Sequence, residues 1–275
     1  MINIFNYIDR ESPIHRMTGA AKLVALIFLT LAAMITYDTR MLVVMPLFSI
    51  GLFAVSRIRF QDVSFLLTFT LIFMVLNNIL VFVFAPQHGV SIYGTRHVLL
   101  VLTSRYTITA EQLFYHLNLI LKYLCTIPVV LLFVSTTNPS EFAASLNRIG
   151  IKYSIAYSVA LALRYIPDIQ KEYHEISQAQ QARGIEMSKK ENLVHRLKSA
   201  SAILIPLIMS SMDRIETISN AMELRGFGKN KKRTWYMGRK FRISDILAMV
   251  FSVAVFLFAL YLNYRNGSRF WNPFM

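Results

Sequence analysis

Residues 64–86 read SFLLTFTLIFMVLNNILVFVFAP, without a charged side chain. The hydrocarbon core of a bilayer is about 30 Å thick, so a helix needs roughly 17 to 25 mostly apolar residues to cross it. This run therefore predicts a membrane-spanning helix. Four further apolar stretches predict four more crossings, at 20–37, 41–56, 114–134 and 246–264.

The composition indicates a membrane protein along the whole chain. Hydrophobic residues make up 55% of the 275 residues and charged residues only 16%, against roughly 25% charged in an ordinary soluble domain. The single cysteine, Cys125, excludes an intrachain disulfide and a cysteine-cluster metal site. The first 19 residues are polar and contain no compact apolar core, so we expect no cleaved signal peptide.

The distribution of cations predicts the orientation. Lys and Arg are retained on the cytoplasmic side, and five crossings with the N-terminus inside place 23 of the 29 Lys and Arg residues there and the C-terminus outside. An extra pair of crossings at 151–166 and 200–210 would move Lys152 and Arg164 into hydrocarbon, at about 2.5 to 3.5 kcal/mol each at the helix centre, and we reject it. The predicted organisation is a membrane domain of four crossings, a cytoplasmic region, and a last crossing with an outer tail. These parts span 1–134, 135–242 and 243–275.

The predicted cytoplasmic region opens with signals for a helix start. Asn138 can cap the helix, Pro139 can take its first position, and Glu141 can reach back as a capping-box partner. Gly150 is expected to end this helix.

An internal repeat of 42 residues is the decisive feature of the region. The pattern apolar-x-x-Ile-Ser-x-Ala-x-x-x-Arg-Gly-apolar ends at Arg183-Gly184 and again at Arg225-Gly226. At about 100° per residue, the positions 10, 7 and 4 before each Arg share one helix face with it. The pattern therefore predicts two amphipathic helices, whose apolar faces contain Tyr173, Ile176 and Ala179, and Ile215, Ile218 and Ala221.

Each repeat is expected to end in a cation beside a left-handed glycine, Gly184 or Gly226. Pro167 and Pro206 are expected to mark the upstream ends. A solvated face of the first helix is expected to hold Asp168, Lys171, Glu172 and Glu175. One such Arg could merely complement the helix dipole, worth about 0.3 to 1 kcal/mol. Two copies with matched faces favour a pair of helix ends that bind in two similar grooves on partner proteins.

At these residues the chain resembles the T component of energy-coupling factor (ECF) transporters, the membrane scaffold of prokaryotic vitamin and metal-ion importers. Two Ala-Arg-Gly-like signatures of that family are matched by Ala182-Arg183-Gly184 and by Leu224-Arg225-Gly226, where Leu224 replaces the usual Ala. Residues 9–17, DRESPIHRM, resemble its Asp-x-x-Ser-x-x-His-Arg-Leu opening, although 18–20 depart from the usual Asp-Pro-Arg. Residues 136–139 resemble its Thr-Thr-x-Pro start to the first coupling helix.

The resemblance implies a complex in the prokaryotic cell membrane, with one T component, two ABC ATPase subunits and one substrate-binding S component. The two Arg-bearing tips would dock on the ATPases, and the membrane helices would hold the S component. ATP and magnesium would be bound by the partner subunits, with no cofactor, metal or catalytic residue on this chain. Nucleotide-driven closure of the ATPases would move the coupling helices and reorient the S component.

The sequence lacks motifs typical of other functions. It contains no Gly-x-x-x-x-Gly-Lys-Ser/Thr loop, His-Glu-x-x-His helix or Gly-x-Ser-x-Gly elbow. The cations of 229–242 fit anionic headgroups better than nucleic acid. Lys122 lies near the outer end of its crossing, where it is expected to snorkel, and Asn77-Asn78 are expected to hydrogen-bond between helices. The alternative is a lipid-modifying enzyme or an autonomous transporter.

Overall fold

A computed structural model of the chain describes residues 12–101, 106–185, 193–229, 234–235 and 238–274, without the side chains of 193–198. The helices are α1 (Gly19–Ile35), α2 (Thr39–Val55), α3 (Phe60–Phe84), α4 (His88–Tyr93), α5 (Ala110–Thr136), α6 (Pro139–Arg148), α7 (Tyr153–Ala182), α8 (Leu193–Leu224) and α9 (Ile243–Arg265). Strands β1 (Val98–Val101) and β2 (Thr107–Thr109) form an antiparallel pair.

The prediction of an all-α membrane protein is confirmed. Helices α3, α5 and α9 are long and apolar enough to cross a membrane, and α1 and α2 are shorter apolar helices of 17 residues each. Within the described residues, α7 and α8 are not among the candidate spans. The predicted orientation and the count of five crossings stay predictions.

The chain folds into two compact units. Unit 1 consists of Met1–Ser145 and Arg239–Met275, and unit 2 of Leu146–Gly238. Helix α6 crosses the border between them, since it continues to Arg148. The sequence-based borders at 134/135 and 242/243 refer to the membrane surface and stay predictions.

Unit 1 is built around the packing of α1 on α9 and of both α1 and α2 on α5. Ala32 and Ala33 of α1 and Ala259 of α9 are fully buried, and small side chains of this kind let two helices approach closely in a membrane. The rest of this core consists of Leu29, Met41, Leu42, Met45, Cys125 and Val129. Helix α3 packs mainly on α5 and leaves most of its apolar side chains exposed.

Two polar contacts tie the apolar helices of unit 1 together. Lys122 Nζ donates a hydrogen bond of 2.8 Å to the carbonyl oxygen of Met34 and lies 3.1 Å from the centroid of the Tyr37 ring. Lys122 therefore caps the carbonyl end of α1 rather than only snorkelling, because the last carbonyls of a helix lack partners within it. Asn78 Oδ1 lies 3.0 Å from His116 Nδ1 of α5, which confirms the predicted bond between helices.

A polar and aromatic cap, which the sequence did not predict, closes the end of unit 1 that contains the strands. Glu111 is fully buried, and its carboxylate accepts hydrogen bonds from the backbone N–H of His97 and from Thr95 Oγ1, each at 3.0 Å. The C-terminal tail covers Tyr93, because the rings of Phe270 and Phe274 lie 6.2 and 5.8 Å from it. The tail is thus part of the folded unit.

Substitution of Gly89 by alanine is expected to destabilise unit 1 by about 1 to 3 kcal/mol, the usual cost of overpacking. A Cβ at Gly89 would lie 2.6 Å from the carbonyl oxygen of Glu111 and 2.7 Å from the backbone N of Gln112, both backbone atoms of α5. Gly51→Ala in α2 is the matched control, since a Cβ there meets nothing within 4 Å and alanine favours helix. Thermal unfolding in detergent should give a lower midpoint for Gly89→Ala alone; equal midpoints would contradict the close approach.

Candidate coupling site

The first helix of the predicted coupling region begins and ends as expected. Asn138 Oδ1 accepts a hydrogen bond of 3.1 Å from the Ser140 N–H, and α6 starts at Pro139. Gly150 has a φ of +106° and closes the helix. The predicted capping box is wrong, because the Glu141 carboxylate instead accepts a hydrogen bond of 2.9 Å from the Gly19 N–H at the start of α1.

Glu141 belongs to a cluster in unit 1 that we call the clamp. The clamp consists of His15, Thr18, Gly19, Lys22, Thr136, Glu141, Arg239 and Asp245. The first N–H groups of α1 have no partners within the helix, and two buried carboxylates accept from them. Thr18 N–H donates to Asp245 Oδ1 at 2.9 Å, next to the bond from Gly19 to Glu141. Carboxylates are also favoured at this end by the helix dipole.

The remaining bonds of the clamp join Lys22 of α1 to Thr136, and His15, just before α1, to Arg239. Lys22 Nζ donates to the carbonyl oxygen of Thr136 at 2.8 Å, at the end of α5. Arg239 donates to the carbonyl oxygen of His15 at 3.0 Å. The chain enters unit 2 just after Glu141 and leaves it just before Arg239. Thr136, Glu141 and Arg239, which all belong to unit 1, are therefore held at the N-terminal end of α1.

Two of the signatures singled out in the sequence meet in the clamp. His15 comes from the N-terminal signature, and Thr136 from the Thr-Thr-x-Pro signature. His15 is positioned by Ser12, whose Oγ lies 2.7 Å from His15 Nδ1. Residues 9–11 of the N-terminal signature lie outside the described residues.

The two repeats in unit 2 end in matching turns. Gly184 has a φ of +84° and Gly226 a φ of +64°, which confirms the left-handed glycines predicted for both tips. Ile185 N–H donates to the carbonyl of Gln180 at 3.1 Å, and Phe227 N–H to that of Met222 at 2.9 Å. Each of these hydrogen bonds closes a turn of six residues. Such a turn defines the Schellman motif, which satisfies the last carbonyls of a helix.

The helices that carry these tips are longer than the sequence predicted. Helix α7 has 30 residues and α8 has 32, and Pro167 and Pro206 lie inside them rather than at their upstream ends. The prediction is wrong because a proline removes one hydrogen bond and crowds one carbonyl, which a long, packed helix tolerates.

Helices α7 and α8 pack against each other in antiparallel directions. Gln180 Nε2 donates to the carbonyl of Ala202 at 3.1 Å, whereas Glu172, two turns earlier, accepts a bond of 2.7 Å from Arg214 Nη2 and another from Ser210 Oγ. The side chain of Glu172 is only 17% exposed. Its predicted place on a solvated face is therefore wrong.

The remaining charges predicted for the solvated face of α7 do lie there. Lys171 and Glu175 form an exposed pair 3.8 Å apart, and Asp168 is exposed.

The pairing relates the two repeats by an approximate two-fold axis. Glu172 and Arg214 occupy the same position in the 42-residue repeat, yet they bond to each other. Two equivalent helices that cross in this way direct their C-terminal tips to opposite ends of the pair. The ring of Phe227, at the second tip, lies 4.8 Å from that of Tyr157 near the start of α7.

The separation of the tips follows from this contact. Tyr157 precedes Arg183 by about 26 residues, and a helix rises 1.5 Å per residue, so roughly 39 Å of helix separate the two tips. The two tips are therefore far enough apart to occupy separate binding sites.

The predicted site residues lie where a partner could reach them. Ala182, Arg183, Gly184, Leu224 and Arg225 are exposed, and Gly226 is half-buried.

The predicted apolar faces are only partly covered. Tyr173, Ala179, Ile215 and Ala221 are exposed, and Ile176 and Ile218 are half-buried. Ile215 and Ile218 line a groove of about 300 Å³ with Tyr165 and Ile169 of α7. Their role in coupling stays a prediction.

Comparison with known proteins gives one consistent result. The profile of the family described as CbiQ, cobalt transport protein, matches residues 10–236. The chain is similar to the energy-coupling factor transporter transmembrane protein EcfT of Bacillus selenitireducens, at 28% identity over 266 residues, covering 92% of this chain and 96% of the relative. It is also similar to EcfT of Bacillus subtilis, at 24% over 243 residues, covering 85% and 87%. A shorter stretch of 110 residues is 37% identical to EcfT of Staphylococcus aureus, covering 39% and 41%.

Proposed function

The chain belongs to the CbiQ family and is a multi-pass cell-membrane protein, the transmembrane T component of an energy-coupling factor transporter, and we propose that unit 2 couples ATP hydrolysis to transport. In this proposal two ABC ATPase subunits bind the tips of α7 and α8. Closure of the ATPases moves these helices and reorients a membrane-embedded S component that binds the vitamin or other micronutrient. The chain itself has no enzymatic role, and ATP and magnesium are bound by the partners.

The observation that supports this proposal best is the arrangement of the two Arg-Gly tips. Arg183 and Arg225 each follow a matching amphipathic helix and precede a matching glycine turn. About 39 Å of helix separates them, so they can occupy two separate partner sites of similar chemistry. A pair of related ATPase subunits supplies such sites.

Arginine suits this role because its planar guanidinium can donate two parallel hydrogen bonds to a carboxylate or bind several backbone carbonyls. Both arginines lie at the last turn of a helix, and both are exposed on this chain. A binding pocket on the ATPase, which we call a socket, would hold the tip in one orientation if hydrogen-bond acceptors surrounded the guanidinium.

Coupling also requires that movement of the tips reaches the rest of unit 2. The Glu172–Arg214 ion pair and the bond from Gln180 to Ala202 join α7 to α8 near the middle of the pair. Displacement of one tip is therefore transmitted to the other helix. The two helices must bind the open and the closed ATPase pair with different free energies, because a ligand that binds two states equally shifts neither.

Site-directed cross-linking tests the assignment of one tip to each ATPase. Cys125 is buried, so single cysteines at Gln181 and Glu223, each two residues before a tip arginine, would carry the label. We expect each to cross-link to one ATPase subunit in the native complex, and the variant with both cysteines to join two ATPase subunits to one T component.

The matched control uses Lys171 and Asp213, which share a position in the repeat and lie about 18 Å before their tips at 1.5 Å per residue. Cysteines there should give little cross-linking to an ATPase. Cross-links from both tips to a single ATPase subunit, or from neither tip to any, would refute the proposal.

A further inference from the structure

Within the three-residue signatures 182–184 and 224–226, the two tips differ at one exposed position. The residue before the arginine is Ala182 at the first tip and Leu224 at the second. The side chain of Leu224 is 90% exposed, although burying a leucine is worth about 1.5 to 3 kcal/mol. The chain itself gains nothing from a large apolar group at this position.

The surroundings of Leu224 do not resemble a lipid-facing helix surface. Its neighbours Glu223 and Arg225 are charged and exposed. Lys229, five residues after Leu224, is also exposed. A leucine exposed in this way offers an apolar group that a partner pocket could bury, with the neighbouring charges forming a polar rim around it.

Ring contacts hold the second tip within unit 2. The ring of Phe227 lies 4.8 Å from Tyr157 and 6.0 Å from Tyr153, and Tyr153 lies 5.3 Å from Trp235. The two ring contacts of Phe227 and the Schellman turn therefore fix the backbone next to Leu224. A side chain presented from a fixed backbone loses less entropy on binding, so it can contribute more to affinity.

We propose that Leu224 enters an apolar pocket of the ATPase subunit that binds the α8 tip, beside the acceptors for Arg225. The socket for the α7 tip takes Ala182 at the matching point and is too shallow for a leucine. Leu224 is thus the residue that makes the two tips non-interchangeable and fixes which ATPase subunit binds which helix. This inference rests on the proposed function of the tips.

Exchange of the two side chains tests the inference. The wild-type chain, Leu224→Ala, Leu224→Met and Ala182→Leu would each be purified in the native complex, and loss of each ATPase subunit would be followed on dilution. We expect Leu224→Ala to weaken retention of the subunit at the α8 tip about 10- to 100-fold, as for truncation of an interface anchor, and to leave the other subunit unchanged. Leu224→Met should stay within about threefold of wild type, because methionine fills apolar pockets adaptably. Ala182→Leu should weaken only the subunit at the α7 tip.

Arg225→Ala separates failure of this inference from failure of the proposed function. Loss of the ATPase with Arg225→Ala but full retention with Leu224→Ala would overturn the pocket for Leu224 and leave the coupling role intact. Full retention with both variants would refute the coupling role of the tip as well. If the Ala182→Leu variant retained the ATPase subunit at the α7 tip with wild-type affinity, the two sockets would be alike. This result would also overturn the inference.

Discussion

Replacement of both Arg183 and Arg225 by alanine is expected to remove the two ATPase subunits from the complex and to stop ATP-driven uptake. Truncation of one partner of a buried charge pair costs about 2 to 5 kcal/mol. This corresponds to a loss of affinity of roughly 30- to 4000-fold at each tip. The effect is largest for the double variant because each tip alone still keeps one ATPase subunit near the membrane.

Isolation of the complex in mild detergent, with all co-purifying chains identified, is the measurement for this prediction. The matched control is Lys171→Ala/Lys240→Ala, which removes the same charge at two exposed positions away from the tips. The control should keep both ATPase subunits. If the double arginine variant retained them and still supported uptake, the two tips would not be the attachment points.

Asp245→Ala is expected to destabilise unit 1 by about 1 to 3 kcal/mol. The Asp245 carboxylate is fully buried and accepts hydrogen bonds from the Thr18 N–H at 2.9 Å and from the Arg242 N–H at 2.8 Å. A buried donor left without a partner costs about 1 to 3 kcal/mol, and alanine leaves the buried Thr18 N–H in this state, whereas the Arg242 N–H is only partly buried. Asp245→Asn should cost less, because the amide oxygen still accepts one of the two bonds.

Thermal unfolding of the full chain in detergent is the measurement for this second prediction. Asp62→Ala is the control, since Asp62 also lies in the first turn of an apolar helix, α3, but is exposed. Its loss should cost no more than about 0.3 to 1 kcal/mol, the usual value for a carboxylate at an exposed helix start. Equal shifts for Asp245→Ala and Asp62→Ala would show that the clamp contributes little to stability.

The features that could be predicted from the sequence are those determined by local chemistry. The charge-free run at 64–86 is found in α3 (Phe60–Phe84), since length and hydropathy suffice to predict such a helix. The glycines at 184 and 226 adopt the left-handed conformation expected of residues that close a helix. The 42-residue repeat was visible as a pattern of identities, without knowledge of how the two copies pack.

The features that escaped prediction depend on residues far apart in the chain. Glu141 has an ideal position for a local capping box, but it bonds to Gly19, 122 residues away in the sequence. Glu172 has the spacing of a solvated residue, but the antiparallel neighbour α8 places Arg214 against it. The cap around Glu111 and the C-terminal tail likewise depends on tertiary contacts. A single sequence gives no signal for which distant group will compete with a local one.

The clamp also has a consequence for biosynthesis. The N-terminal end of α1 is completed by Asp245, and the main packing partner of α1 is α9, whose residues are synthesised more than 200 positions later. During translation, Thr18 and the alanine face of α1 therefore stay without these partners until nearly the whole chain has been synthesised. A chain that stops short after unit 2 exposes these groups, and incomplete packing of this kind is what cellular quality control recognises. Only a chain that has been made to the end can therefore complete the N-terminal end of α1.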